Sequence, residues 1–256
     1  MAPPNRPAPR IFEVTGSRLV TPNMRRVTLA GAGLETFPAG QAGGYVKFNL
    51  GGGEEGVKPV IRTYTIRHQR ADGLDVDFAL HGVANGTAGP ATDWAQSVQI
   101  GETISVGGPG PAKPLPPGMD LYVIAGDMTA LPAISVNLEA LDKSARGYAV
   151  IEIQSEEDRQ EIDHPPGVEM IWLINPDPGK VADLLADRVR ALPWSDGTVY
   201  AWAACEFNSM KALRTYLREE RRLGSDRLYI SSYWILGSTE EGHKKIKGED
   251  AMVSAA

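Results

Sequence analysis

The first 110 residues or so have a strand-like pattern of apolar and polar positions, broken by turns rich in Gly, Pro and Asn. Short β-rich stretches between such turns are typical of an antiparallel β-domain. One segment, at 91–98, has a helical pattern instead. We therefore expect a small antiparallel barrel with one helical insertion. The six predicted strands are 11–20, 25–30, 44–50, 60–68, 74–80 and 102–106.

From residue 121 onward the pattern changes, and short apolar stretches alternate with amphipathic segments. Apolar strands that alternate with helices predict a parallel sheet covered on both faces. The fold class is thus a β-barrel followed by an α/β domain. The predicted strands are 121–125, 148–153, 169–174, 198–204 and 227–234, and the predicted helices are 131–141, 179–192 and 208–223.

Between the two halves lies a segment, 107–118, that is dominated by Gly and Pro. Such a composition favours neither a helix nor a central strand, so we interpret it as an interdomain connection. We place the barrel domain at 10–110, the linker at 111–118 and the α/β domain at 119–256, with a basic segment near its end.

Composition excludes several classes of protein. The net charge of −6 over 256 residues argues against a general nucleic-acid binder. The single cysteine, Cys205, cannot form an intramolecular disulfide, which suits a reducing compartment. No run approaches the ~20 apolar residues that a membrane helix needs, and the first residues lack the apolar core of a signal peptide. We expect a cytoplasmic monomer without a membrane span.

The stretch Arg-Thr-Tyr-Thr-Ile-Arg at 62–67 carries the most chemical information. On a strand, Arg62 and Tyr64 share one face while Thr65 and Arg67 share the other. A ligand with a flat ring and phosphates would use all of these groups, since arginine binds phosphate and an aromatic residue contacts a ring. An edge strand with solvated arginines is the alternative.

Two further segments have the form of a loop that enters a helix, where free N–H groups and the helix dipole can bind phosphate. One is 89–94, for which an ordinary N-cap is the alternative reading. The other is 121–132, where a strand runs through Gly126 into a helix that Thr129 could cap. Asp127 is a poor neighbour for a pyrophosphate, and a turn of this kind, taken alone, is more often just the start of a well-capped helix.

Motifs for metal binding and for nucleophilic catalysis are absent from the sequence. There is no HExxH, cysteine cluster, nucleophile elbow or Walker loop. We therefore predict no metal site and no catalytic side chain, and favour redox chemistry performed by a cofactor. The four histidines are scattered at His68, His81, His164 and His243.

Six motifs in this order resemble the siderophore-interacting protein family of FAD-containing ferric-siderophore reductases, which have a ferredoxin-reductase-like fold. The similarity extends over about 10–245. The motifs are 62–67, 77–82, 89–94, 126–132, 201–206 and Tyr233-Trp234.

The resemblance implies an FAD-binding barrel of six strands and a five-stranded parallel nucleotide-binding domain. It also implies NADH or NADPH as electron donor, with a ferredoxin as an alternative donor, and a ferric siderophore as substrate. The implied FAD contacts are Arg62, Thr63, Tyr64, Thr65, Arg67, His81, Gly89, Ala91, Thr92 and Trp234. The implied nucleotide contacts are Gly126, Asp127, Thr129, Ala130, Cys205 and Glu206.

The chain departs from the family pattern at three positions. Cys205 stands where glycine is usual, Met128 replaces a common acidic residue, and Ile235 occupies a place where some members have lysine. Trp234 would lie beside the flavin or simply end its strand. A basic cluster follows, which we interpret as a solvated helix face or as a patch that attracts anionic siderophores. Its lysines are Lys244, Lys245 and Lys247.

Two other functions remain open from the sequence. One is a related flavin oxidoreductase whose acceptor is not iron. The other is a siderophore-binding protein without catalytic activity. The sequence does not distinguish catecholate, hydroxamate and carboxylate siderophores, nor does it identify the electron donor.

Overall fold

The computed structural model describes residues 8–51, 59–82, 88–194, 196–238 and 240–254, except for the side chains of 240, 241, 244 and 251–254. Contacts within the chain divide it into two compact units, Met1–Lys113 and Pro114–Ala256. The boundary falls inside the segment that the sequence predicts to be a linker. No helix of the described residues is long and apolar enough to cross a membrane.

The first unit is the predicted six-stranded barrel, and it is closed. All neighbouring strands are antiparallel, in the order β1-β2-β5-β4-β3-β6. A four-residue helix, α1 (Ala32–Glu35), which the sequence analysis missed, follows β2, and α2 (Pro90–Ser97) follows β5. The strands are β1 (Arg10–Thr21), β2 (Met24–Ala30), β3 (Tyr45–Asn49), β4 (Ile61–Arg70), β5 (Gly73–Ala79) and β6 (Thr103–Gly110).

Alternate residues of these strands fill the barrel with apolar side chains. Phe48 of β3 and Phe78 of β5 meet edge to face at a centroid distance of 5.3 Å. Trp94 of α2 lies 5.4 Å from both of these rings, so α2 is fixed to the barrel core.

Strand β6 is longer than predicted from the sequence. The prediction ended this strand at 106 and was wrong to exclude the following Gly/Pro stretch from a central strand. The strand continues to Gly110. An irregularity in its pairing with β3, opposite Tyr45 and Lys47, accommodates Pro109, since proline is tolerated at bulges. The ring of Tyr45 lies where a Cβ on Gly110 would be, so glycine is required there for packing.

The second unit is the predicted five-stranded parallel sheet, with strand order β11-β10-β7-β8-β9. Two helices differ from the prediction. The helix expected at 179–192 covers only Leu184–Arg190, and the one expected at 208–223 changes after Thr215 into a π-helical segment. The elements are β7 (Leu121–Asp127), α3 (Leu131–Glu139), β8 (Arg146–Ile153), β9 (Gly167–Ile174), α4 (Leu184–Arg190), β10 (Val199–Glu206), α5 (Phe207–Thr215), β11 (Leu228–Trp234) and α6 (Glu240–Ser254).

Near the carboxyl ends of β7 and β10, the packing leaves no room for a side chain at Gly126. A Cβ on Gly126 would lie 2.7 Å from the carbonyl oxygen of Ala204 and 2.8 Å from Ile134 of α3. Ala201 and Ala203 of β10 belong to a buried cluster that also contains side chains of α4 and α5. Because the carboxyl ends of parallel strands meet at one edge, the residues that end these strands are neighbours.

Candidate functional site

Strand β4, which holds the 62–67 motif, is paired on both sides, with β3 and with β5. The strand belongs to a closed barrel and so is not an edge strand, although within the motif only Ile66 pairs with β5. Arg67 is only 7% exposed, although its side chain carries a guanidinium. Arg62 is half-buried and donates a 2.9 Å hydrogen bond to the carbonyl oxygen of Ile61. The guanidinium of Arg67 is therefore largely shielded from water, where a charge-assisted hydrogen bond to a phosphate is strong.

The ring of Tyr64 packs on the apolar interior of the barrel. Its centroid lies 4.2 Å from that of Phe78, with the two planes tilted by 36°, and 5.8 Å from that of Phe48 in an edge-on arrangement. These contacts fix the orientation of the tyrosine ring. Thr65 next to it is buried and Thr63 is exposed.

The first turn of α2 provides backbone donors without a side-chain cap. Gly89 is the N-cap residue in an extended conformation, and Pro90 follows it. The N–H groups of Ala91 and Thr92 belong to the first helical turn, where no acceptor in the same helix can reach them. The barrel unit thus contains a buried guanidinium, an oriented aromatic ring and a helix start without a side-chain cap, which are groups of the kinds that bind the ring and the pyrophosphate of FAD. His81 lies two residues beyond β5 and is half-buried.

At the carboxyl edge of the second unit, Asp127 accepts four hydrogen bonds and is 5% exposed. Its Oδ1 accepts from the backbone N–H and the hydroxyl of Thr129, at 2.9 and 2.5 Å. Its Oδ2 accepts from the backbone N–H of Glu206 and from the indole Nε1 of Trp234, both at 2.8 Å. Asp127 therefore joins the ends of β7, β10 and β11.

Glu206, at the end of β10, is 2% exposed and acts as the N-cap of α5. Its Oε2 accepts from the backbone N–H groups of Asn208 and Ser209, at 2.5 and 3.3 Å. Its Oε1 accepts from the N–H of Leu236, beyond β11. The carboxylate satisfies the otherwise free donors at the helix start and complements the helix dipole.

Two residues at this edge escaped the sequence analysis: Glu152 at the end of β8 and Asn175 just after β9. Asn175 donates a 2.8 Å hydrogen bond to Oε1 of Glu152, and both side chains are buried. Burial and the neighbouring carboxylates of Asp127 and Glu206 raise the pKa of Glu152 to about 7. The signal in the sequence was the same for all these residues, a polar residue that ends an apolar strand.

Cys205 is completely buried beside these carboxyl groups. Burial, followed by the negative charges of Asp127, Glu152 and Glu206, raises the pKa of its thiol well above the ordinary value, so the thiol stays protonated. Within the part of the chain that the structure describes, no three His, Cys, Asp or Glu side chains are placed so that they could hold a metal ion.

The raised pKa of Glu152 predicts a pH-dependent stability. Between about pH 4.5 and about pH 7 the folded protein retains a proton on Glu152 that the unfolded chain, in which the pKa is near 4.5, has already lost. The contribution of Glu152 to the free energy of unfolding is therefore highest below about pH 4.5 and is lost as pH rises through about 7. Glu152→Gln keeps an acceptor for Asn175 and removes the charge. We expect this variant to gain about 1–3 kcal/mol near pH 8 and little near pH 5, measured by urea unfolding. Glu169→Gln, at an exposed position on β9, is the control, and an equal gain at both pH values would contradict the prediction.

Of the three predicted substrate-binding lysines, Lys247 is engaged within its own unit. Its Nζ donates to the hydroxyl of Ser231 at 2.7 Å and to the carbonyl oxygen of Ser232 at 2.9 Å, which ties α6 to β11. Lys245 is exposed, and the side chain of Lys244 lies outside the described residues. A second contact holds α6, since Ser232 hydrogen-bonds to His243 at 2.8 Å.

Two family models match this chain. The model for siderophore-interacting proteins matches residues 119–237, and the model for the siderophore-interacting FAD-binding domain matches residues 51–113. Together they cover most of both compact units.

Comparison with known proteins also gives siderophore-related relatives. The ferric vibriobactin reductase ViuB of Vibrio cholerae is 35% identical over 255 residues, which cover 92% of each chain. The crystal structure of the siderophore-interacting protein SipS from Aeromonas hydrophila superposes with a TM-score of 0.83 at 31% identity, over 96% of this chain and 98% of that one. A ferredoxin–NADP+ reductase from Plasmodium falciparum, at 14% identity, has a TM-score of 0.63 over 88% of this chain and 96% of that one, and shows the shared fold alone.

Proposed function

The chain belongs to the siderophore-interacting protein family, and we propose that it is an FAD-dependent reductase that releases iron from ferric siderophores as Fe(II). The observation that carries the proposal is the identity of 35% to a ferric vibriobactin reductase over 92% of both chains. The proposed electron donors are NADH, NADPH or a ferredoxin. Because these donors are found in the cytoplasm, we propose a cytoplasmic location for this protein.

The barrel supplies the proposed FAD site. Arg67 and Arg62 would neutralise the phosphates, and the first-turn N–H groups of Ala91 and Thr92 would donate to the pyrophosphate. Tyr64, whose ring is held by Phe78, would orient the flavin ring. The assignments of Thr63, Thr65, Gly89, His81 and Trp234 to this cofactor, made from the resemblance, stay predictions.

The proposal requires little chemistry from the side chains. Bound FAD supplies the ability to pass electrons singly to Fe(III). Hard oxygen ligands hold Fe(II) less firmly than Fe(III), so reduction weakens the chelate. The protein binds the cofactor and orients both partners, and no catalytic acid, base or iron ligand is needed.

The test uses FAD-loaded protein that is reduced chemically, without air and without a nucleotide. Addition of a ferric siderophore should restore the spectrum of oxidised flavin, while ferrozine traps Fe(II). Catecholate, hydroxamate and carboxylate chelates are compared to define the substrate class. If the flavin is present and none of these chelates reoxidises it, the proposed reductase activity is wrong.

The proposed attraction of anionic siderophores by Lys244 and Lys245 gives a separate prediction. Changing both to glutamine should lower the second-order rate constant about 3- to 10-fold for a trianionic ferric catecholate, with a smaller effect at high salt, because the interaction is screened. Lys247 is left unchanged, since it fixes α6 to β11. A neutral ferric hydroxamate is the control substrate, and an equal loss for both chelates would contradict the prediction.

A further inference from the structure

The helices of the two units begin in opposite electrostatic environments. The start of α2, in the barrel unit, has no side-chain cap, and the same unit contains the buried Arg67. The start of α5, in the second unit, is capped by the carboxylate of Glu206. Among the described residues no side chain caps the start of α2, whereas the start of α5 already holds an anion of the protein itself.

Several further backbone donors at the carboxyl edge of the second unit already have acceptors within the chain. Asp127 holds the N–H groups of Thr129 and Glu206. The N–H of Ala130 donates to the carbonyl oxygen of Asp127 at 3.0 Å, and Pro132 in the first turn of α3 has no N–H. The N–H groups of Thr129, Ala130 and Glu206 at this edge thus already have acceptors within the chain.

The charges at this edge are unfavourable for phosphate as well. Three buried carboxyl groups, of Asp127, Glu152 and Glu206, end three of the strands. In the described loops that leave this edge, the cations are Arg159 and Lys180. Both are already paired, with Glu156 at 2.8 Å and with Asp177 at 2.9 Å. A pyrophosphate would add negative charge where no unpaired cation of these loops compensates it.

From these contacts we infer that Asp127 and Glu206 are specificity-determining residues, which exclude the pyrophosphate of a dinucleotide from the carboxyl edge of this sheet. The resemblance predicted that these two residues bind the nucleotide. In the present inference they instead disfavour binding of its pyrophosphate. Any donor that reaches this edge meets it through an uncharged or cationic part, such as a dihydronicotinamide ring. The inference rests on the proposed function, because the donor is the one that reduces the flavin.

Replacement of Glu206 by a phosphate would have a large cost. The carboxylate would have to leave the N–H groups of Asn208, Ser209 and Leu236 while still buried among other acidic groups. A buried charge that loses its hydrogen bonds is strongly destabilised. The exclusion is therefore energetic.

The first experiment uses wild-type protein saturated with FAD, so that the flavin site itself cannot take up the probe. Adenosine diphosphate, titrated by calorimetry, should give no saturable binding. NADH and dihydronicotinamide riboside, which has the same reacting ring and no phosphate, should reduce the flavin with rate constants within about 10-fold of each other. Saturable binding of adenosine diphosphate, or a larger advantage for NADH, would overturn the inference.

The second experiment tests the cause. Glu206→Ser keeps a hydroxyl that can cap α5 but removes the carboxylate. We expect this variant to bind adenosine diphosphate saturably, whereas wild type and the exposed control Glu169→Ser do not. A folded Glu206→Ser protein with no gain would show that this carboxylate is not the excluding group.

These outcomes are independent of the proposed reductase activity. The ferric-siderophore test begins with chemically reduced flavin and needs no nucleotide. A protein that fails it but behaves as expected here retains the inference about the donor and loses the iron substrate. A protein that reduces ferric siderophores and also binds adenosine diphosphate retains its function and loses the inference.

Discussion

Replacing Arg67 by glutamine is expected to weaken FAD binding about 10- to 150-fold, since charge-assisted hydrogen bonds to a phosphate are each worth roughly 1.5–3 kcal/mol. Arg67 is only 7% exposed on β4, so water screens the charge of its guanidinium poorly. Quenching of flavin fluorescence during titration of the apoprotein measures the dissociation constant.

Arg70→Gln is the matched control for this variant. It makes the same chemical change on the same strand, but Arg70 is partly exposed and pairs with Asp75 on the barrel surface. We expect its FAD affinity to stay within about 3-fold of wild type. If both variants bind FAD as wild type does, Arg67 does not contact the phosphates.

Replacing Asp127 by alanine is expected to lower the free energy of unfolding of the second unit by about 2–4 kcal/mol. Four donors, from Thr129, Glu206 and Trp234, would lose their acceptor, and a buried donor without a partner costs about 1–3 kcal/mol. Relief of the repulsion with Glu152 offsets part of the loss. Urea unfolding followed by tryptophan fluorescence measures the difference.

The control for Asp127 is Asp120→Ala. Asp120 is exposed and accepts a 2.7 Å hydrogen bond from the N–H of Thr198, near the opposite edge of the same sheet. Its removal should cost about 1 kcal/mol or less. Equal losses of unfolding free energy for the two variants would mean that the four hydrogen bonds of Asp127 do not stabilise the second unit as expected.

Much of the fold could be predicted from the sequence because local pattern and tertiary structure agree. Strands such as β2 and β5 are bounded by turns, and helix α2 begins at a proline that suits its first turn. The end of β6 could not be predicted in this way. Gly107–Gly110 lacks strand propensity, and only its pairing with β3 and the close approach of Tyr45 make it part of the barrel.

The sequence predicted some residues of the candidate site and missed others, for a physical reason. The 62–67 motif places its groups on one strand, so the spacing alone reveals them. Glu152 and Asn175 come from separate strands and are joined only by the parallel order of the sheet. The hydrogen-bond partners of Asp127 and Glu206 likewise lie on other elements. Sequence reasoning could mark these residues as strand ends, but could not show that they bind one another.

The closure of the barrel has a consequence for the synthesis of this protein. Strand β1 pairs with β6, so the first strand cannot complete its hydrogen bonds until Thr103–Gly110 has left the ribosome. Until then both β1 and β3 present an open edge, the kind of edge that pairs readily with other chains. Long-range pairing of this type is slow. The nascent barrel therefore passes through a vulnerable period that ends only when its last strand emerges.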